Sequence, residues 1–411
     1  MNAFCMSDIE SVLVSNEFLE NPYPVLHQLR EEKPVYWSEA IGGWLLTRYD
    51  DIVASFKNTA HFSNENRLSR AVAYLSPERR ANYKVFEDHF STKGLIFSDP
   101  PDHTRLRGLV SKVFTPQVVE QMRSRIQDLV NGFLNVVQAT GQMDVIADLA
   151  VPLPATVISD ILGAPSSDRH LFKAWADDLL AFQGVNKPSE ETLARAQTAL
   201  LDVRRYLIGM IGERRARSRE DLVSQLVAAE AAGDQLSEPE LINTCVTLVI
   251  AGHETTASLI GNTVYTLLTN ANQIELLRQN PGLLVPTIEE SLRYESPVAR
   301  QPRLMKEDAA LGGVKFTKGE MVFQMLNAAN RDPAHFSNPD EFDIRRQNNR
   351  HIAFGHGIHS CIGALLARTE AQIAIGTVLE RMPNLHFGPL PAEWDIEKRN
   401  TRVLKTLPVC F

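Results

Sequence analysis

Apolar residues recur at helical spacing through most of the chain. Val118, Met122, Ile126, Leu129, Phe133 and Val137 fall on one face of a single helix. Thr115-Pro116 opens it, with the threonine as cap and the proline at the first helical position. A longer helix starts at Ser237-Glu238-Pro239-Glu240, which has the form of a capping box. Its pattern runs to about Asn270, which is about 48 Å at 1.5 Å per residue. Cys245 to Ala251 is apolar on nearly every side, so this helix is expected to pass through the centre of the molecule. Asn243, Thr244 and Thr247 make it a poor membrane span. A further helical run, Ile362 to Met382, follows Cys361.

Strand patterns are few. Pro34–Glu39 and Gly43–Tyr49 flank Gly42-Gly43 and read as a hairpin. Short β segments are expected near Leu311–Phe316, Val322–Gln324 and Val403–Cys410. No internal repeat, low-complexity tract or charged or Gly/Ser linker occurs, the rest of the chain is mostly helical, and the length suits two ordinary domains or one large one.

Composition narrows the function. The 411 residues are 44% apolar, enough for a sizeable core, and the net charge of −8 offers no global basic field for nucleic acid. Cys5, Cys245, Cys361 and Cys410 are widely spaced, which fits a reducing compartment rather than a disulfide framework. Asp8, Glu10 and Glu17 interrupt the N-terminal apolar residues, and no stretch of about 18 uncharged apolar residues occurs. A soluble cytoplasmic protein without a membrane anchor is expected.

Two segments carry candidate chemistry. The first is Phe354-Gly355-His356-Gly357-Ile358-His359-Ser360-Cys361-Ile362-Gly363. A thiolate just before a helix is favoured by the positive end of the helix dipole and by unpaired backbone N–H groups. Gly357 and Gly363 remove bulk where a flat cofactor would press on backbone, and Phe354 offers a ring. Such a thiolate can serve as the axial ligand of a haem. Cys361 taken alone is also compatible with a small buried hydrophobe, and with His356 and His359 it is compatible with a zinc cluster.

The second segment is Ala251-Gly252-His253-Glu254-Thr255-Thr256, where a glycine, an acid and two β-branched alcohols interrupt the apolar run. A polar turn on a solvated face is the plain alternative. His253-Glu254 begins an H-E-x-x-H zinc pattern, but the fifth position is Ala257, so the metal pair is absent.

The first segment meets every fixed position of F-x-x-G-x-[HR]-x-C-x-G, through Phe354, Gly357, His359, Cys361 and Gly363. On these residues the chain resembles the cytochrome P450 family. The second segment is similar to that family's [AG]-G-x-[DE]-T-[TS] motif. Glu290-Ser291-Leu292-Arg293 resembles its E-x-x-R, with Arg346 fitting the third member. Asn330-Arg331-Asp332-Pro333 and Phe336, Pro339 and Phe342 also follow the family pattern, and the motifs occur in family order.

The resemblance implies the family fold as a single domain over residues 1–411, mainly α with a small β lobe and a long central helix crossing the haem, and a haem b held by Cys361 as iron ligand, with Phe354 and Gly357 against it. It nominates His103, Arg107, Arg303 and His359 for the two propionates, since carboxylates need donors. It implies a widened helix at Ala251–Gly252 that makes room for O2, with Thr255 hydrogen-bonding bound dioxygen and Glu254 relaying protons. The implied function is a haem-thiolate monooxygenase that hydroxylates a small to medium apolar organic substrate with O2. Its two electrons would come from a separate ferredoxin with its reductase, or a flavodoxin. Arg105, Lys112, Arg345, Arg350 and Arg368 would form a basic docking face for that partner. Three alternatives stand beside this: a peroxide-driven peroxygenase or other non-oxygenase of the same fold, a non-catalytic haem or partner binder, and, more distantly, a zinc hydrolase. Arg300 is open between a pocket role, anchoring a carboxylate, and a surface role.

Overall fold

The computed structural model describes residues 8–68, 72, 74–112, 114–183, 188–231 and 236–411. The chain divides into two compact units, exchanging between them at Ser63/Asn64, Met122/Arg123, Val151/Pro152 and Glu254/Thr255. The elements used below are β1 (Val35–Ser38), β2 (Gly43–Leu46), β3 (Phe62–Ser63), β4 (Arg300–Met305) and β5 (Met321–Met325), with α1 (Asp102–Ser111), α2 (Pro116–Gln138), α3 (Glu238–Thr269), α4 (Leu284–Tyr294) and α5 (Ala364–Arg381).

The unit that holds residues 123–151 and 255–411 also carries the β-structure of residues 35–63. Its largest sheet has the order β1-β2-β5-β4-β3. β1 and β2 form the expected hairpin, with Val35 opposite Leu46 and Gly42 at φ 75° in its turn. β2 and β5 pair in parallel, with Trp44 opposite Val322, and β5 runs antiparallel to β4. Alternation along the strands gives the sheet two apolar faces. Leu45, Phe323 and Met325 pack with Leu26 and Leu29 in one cluster. Leu46, Val322, Met305 and Phe62 pack with Ile52, Phe56 and Ile352 in another.

The other unit is helical, built from residues 64–122 and 152–254. The opening of α2 matches expectation: the Val118 N–H donates to the Thr115 hydroxyl at 3.3 Å. At the start of α3, Glu240 accepts from the backbone N–H of Ser237 at 2.9 Å. Ser237 in turn donates its hydroxyl to that carboxylate, so only the acid's half of the expected reciprocal box forms. Leu241 to Ile250 of α3 are buried without exception, as their apolar run requires. Among the described residues no helix is long and apolar enough to cross a membrane.

One expectation needs correction. α3 is assigned as one unbroken α-helix through Ala251–Thr256, without a widened turn. Gly252 packs closely against a neighbouring side chain, since a Cβ there would sit 3.3 Å from Ile158 Cδ1.

Candidate functional site

The cysteine segment lies in the unit that carries the sheet. Ile352 and Ala353 before it and Leu366 after it are buried, whereas every residue from 354 to 365 is half-buried or exposed. Within this uncovered stretch the Cys361 N–H donates to the Phe354 carbonyl at 2.9 Å, which closes the segment into a loop. Gly355 and Gly357 take φ of 72° and 71°, values that disfavour any side chain. A Cβ on Gly357 would also lie 3.2 Å from the Phe56 carbonyl oxygen. Cys361 sits two residues before the Gly363 cap of α5 and is exposed, although apolar side chains surround it in sequence.

The other described cysteines differ in kind. Cys245 is fully buried, and burial followed by Asp221 pushes its thiol up to about 12. Cys410 is half-buried in the strand Pro408–Cys410. Cys5 lies outside the described residues. Among the described residues no three His, Cys, Asp or Glu side chains gather to hold a metal ion, so His356, His359 and Cys361 do not form a zinc cluster.

The basic residues nominated by the sequence fall into two sets, each within its own unit. In the sheet-bearing unit Arg303 is 5% exposed, with its guanidinium over the Phe56 ring at 5.1 Å. It donates to the Pro302 carbonyl at 3.0 Å and to the Gln301 side chain at 3.4 Å. Gln301 and the His359 carbonyl both approach Gly355, so Arg303, Phe56, Gly355, Gly357 and the backbone of His359 share one neighbourhood. In the helical unit His103 and Arg107 are one turn apart on α1. His103 is 2% exposed, and its pKa is lowered by burial first and by Arg107 second, against an opposing pull from Asp99.

α3 carries the remaining candidates. Ala251 is exposed and Gly252 and Thr255 are half-buried, while Leu248–Ile250 and Thr256–Ile260 are buried. Ala251 and Thr255 are four residues apart on one helix face, so an open window lies between the buried runs 241–250 and 256–264. Glu254 is 5% exposed and lies off that window.

Behind the cysteine segment Glu290, Arg293 and Arg346 come together as the motif implied. Arg293 Nε and an Nη donate to the two Glu290 oxygens at 2.9 and 2.8 Å, and Arg346 Nε reaches both at 3.0 Å. The cytochrome P450 family model matches residues 57–407 of the chain. The chain belongs to the cytochrome P450 family. It is 39% identical over 406 residues to the biotin biosynthesis cytochrome P450 of Bacillus subtilis, covering 98% of this chain and 99% of that one. Among solved structures, P450BioI in complex with hexadec-9Z-enoic acid ligated acyl carrier protein superposes with a TM-score of 0.88 at 38% identity, covering 97% of this chain and 100% of that one. Myxobacterial CYP267B1 in complex with myristic acid gives 0.88 at 35% identity, covering 97% and 98%. The protein is therefore an oxidoreductase of the cytochrome P450 monooxygenase type, and the family implies haem with a thiolate ligand.

The residues present fit such a P450 cofactor. The 354–365 stretch leaves Phe354 half-buried and Leu365 42% exposed, a loss of burial that a flat apolar group would make good. The left-handed glycines keep that surface free of side chains, and it holds the exposed thiol.

The sequence reading missed a second charge network around the same P450 segment. Glu289, beside Glu290, takes Arg368 on both oxygens at 2.7 and 2.8 Å and His351 at 3.2 Å. Burial pushes the Glu289 carboxyl up, and the hydrogen bonds and charges of Arg368 and His351 outweigh it, holding the group down at about 2. Arg368 also lies 4.4 Å over the Phe354 ring, so it positions that ring. The sequence signal was the adjacent acids Glu289-Glu290 on a helix face.

This changes the expected docking face. Arg368 is committed to Glu289, and Arg105 is committed to Glu240 and Asp102. Arg345 and Arg350 remain exposed in the same unit as the cysteine segment, and Lys112 is exposed in the other. Arg300 is half-buried; its Nε donates to Asn400 at 2.9 Å and its guanidinium lies over Phe323 at 4.9 Å.

Proposed function

We propose that this P450 is a cytoplasmic, single-domain monooxygenase that hydroxylates a small to medium apolar organic substrate with O2 and two electrons from a separate redox protein. The observation that carries the reading is Cys361: an exposed thiol on a loop closed by the Phe354 carbonyl and bordered by left-handed glycines. Haem b, when bound, supplies the activation of dioxygen for insertion into a C–H bond. Cys361 would hold its iron through the thiolate, with Phe354 and Gly357 contributing to the site. His103, Arg107, Arg303 and His359 are assigned to the propionates, which accept N–H donors.

The chain's own part in the chemistry is to place protons and exclude water. Thr255 faces the open window of α3 beside Ala251, so its hydroxyl is the group assigned to donate a hydrogen bond there. Glu254, buried one residue earlier, is assigned to pass protons from solvent towards that window. Val249 and Ile250 line α3 ahead of it with apolar surface and keep bulk water away. Electron delivery is assigned to a ferredoxin with its reductase, or a flavodoxin, docking through Arg345 and Arg350. The retention of both Glu254 and Thr255 favours use of O2 over direct use of peroxide.

The test is coupling. With surrogate ferredoxin and reductase, product formed per reductant consumed is measured in the wild type and in Thr255→Ala. The ratio should fall in Thr255→Ala, with peroxide released and the substrate-induced spectral shift kept. A general acid relay is worth about 10²–10⁴-fold, so the loss should be plain. An unchanged ratio means that Thr255 is an ordinary core threonine.

A further inference from the structure

Arg67, in the helical unit, is half-buried and carries a shielded donor that the protein itself does not satisfy. Its charged end lies over the Phe97 ring at 5.4 Å. Its Nε is shielded from solvent and has no hydrogen-bond partner. Burial alone holds its pKa down to about 10, and among the described residues no acid offsets that cost. The nearest acid along the chain, Glu65, is already taken, by Lys93 at 2.6 Å and by the backbone N–H of Asp99 at 3.2 Å. Elsewhere in the unit a buried arginine has its counter-ion: Arg214 donates to Asp221 at 2.6 Å.

The surroundings of Arg67 are apolar. Phe97 meets Phe90 at 6.0 Å between centroids, and Phe90 meets Phe86 and Phe182 at 4.8 and 5.6 Å. The Phe97 segment also lies against α3. A Cβ on Gly94, three residues earlier, would run into the Asn243 side chain. Asn243 is eight residues before Ala251, so the window of α3 is about 12 Å further along the helix axis. A half-buried cation over an aromatic ring, with a shielded donor left over, is costly unless something anionic completes it.

We propose that Arg67 is the anchor for a carboxylate carried by the substrate, an amphiphile with an apolar body and one anionic end. The fork of Nε and one Nη matches the two oxygens of a carboxylate. The Phe97 ring lies under the guanidinium and holds it by cation–π attraction. The apolar body then extends towards the window of α3. Arg67 is thus a specificity-determining residue, and this assignment rests on the oxidative reading above.

The experiment is calorimetric titration of the haem-loaded protein with dodecanoate and with 1-dodecanol, which share one apolar chain and differ at the polar end. Wild type, Arg67→Gln, Arg67→Lys and the exposed control Arg217→Gln are compared. Wild type should bind the acid roughly 10- to 100-fold more tightly than the alcohol, the range expected for charged hydrogen bonds. Arg67→Gln should lose that preference through the acid alone, with alcohol affinity within about 2-fold of wild type. Arg67→Lys should keep part of the preference, and the control all of it. The proposal is overturned if wild type binds neither compound or shows no preference for the acid, or if Arg67→Gln weakens both ligands alike. The wild-type comparison stands even if a variant fails to fold. A carbon monoxide spectrum of each sample separates the two readings. A missing thiolate band with a retained acid preference removes the oxidative reading only, and a normal band without acid preference removes the anchor only.

Discussion

Replacing Arg293 by lysine should destabilise the protein by several kcal/mol even though the charge is kept. The side chain is fully buried on α4 and uses all five of its N–H donors. Two go to Glu290, at 2.9 and 2.8 Å. The other three go to the carbonyls of Asn330, Pro339 and Glu341, at 3.0, 2.7 and 2.9 Å. Lysine has three donors, so at least two of these five acceptors lose their partner. A buried acceptor left unsatisfied costs about 1–3 kcal/mol, which puts Arg293→Lys at roughly 2–6 kcal/mol. Glu290 stays partly compensated by Arg346 and by Asn349 at 3.1 Å, and the Glu341 carbonyl keeps an Arg346 donor at 2.9 Å, which places the loss towards the lower end of that range. Urea unfolding followed by circular dichroism measures the change, with the slope unaltered and the midpoint lowered. The exposed Arg345→Lys serves as control and should shift stability by less than about 0.5 kcal/mol. A loss below about 1 kcal/mol in Arg293→Lys would refute the donor count as the source of rigidity behind the cysteine segment.

Two further predictions concern charge. Haem retention should fall in Arg107→Ala and Arg303→Ala, each leaving a carboxylate short of a donor at about 1–3 kcal/mol, but not in the exposed Arg79→Ala. Dissociation of haem into an acceptor protein reads this directly, and equal rates in all three would remove the propionate assignment. Glu370 is 2% exposed on α5, with Oε2 lacking a partner, and burial raises its pKa well above 4.5. The folded state therefore holds a proton there that the unfolded chain releases above about 4.5, so stability falls as pH rises. Glu370→Gln removes that titration, and its advantage should grow by up to about 1.4 kcal/mol per pH unit above that point. Urea midpoints at pH 5 and pH 7 test it, and a difference that does not change with pH would contradict it.

What the sequence made legible was local in the chain. The hairpin of β1 and β2 could be read because Gly42-Gly43 sits between two β patterns, and α3 because Ser237 and Glu240 mark its start. The E-x-x-R pair was legible as a motif within one turn. The rest of the sheet was not, because the parallel pairing of Trp44 with Val322 joins residues far apart in sequence and leaves no periodic trace. The exchange of the chain between two units is equally silent in composition. The partners of Arg368 were silent for the same reason. As an arginine near the cysteine it looked like docking charge, and only the fold brings it onto Glu289 and Phe354. The window on α3 was half legible: Gly252 was seen, but its packing against Ile158 could not be.

The central claim is that Cys361 holds the haem iron. It is tested most directly by the absorption spectrum of the reduced protein with carbon monoxide, in the wild type, Cys361→Ser and Cys410→Ser. The wild type and Cys410→Ser should show the red-shifted Soret band of a thiolate-ligated haem, and Cys361→Ser should lose it while retaining the fold. A haem-loaded wild type with only a histidine-type band, or a Cys361→Ser protein that keeps the red-shifted band, would contradict the account.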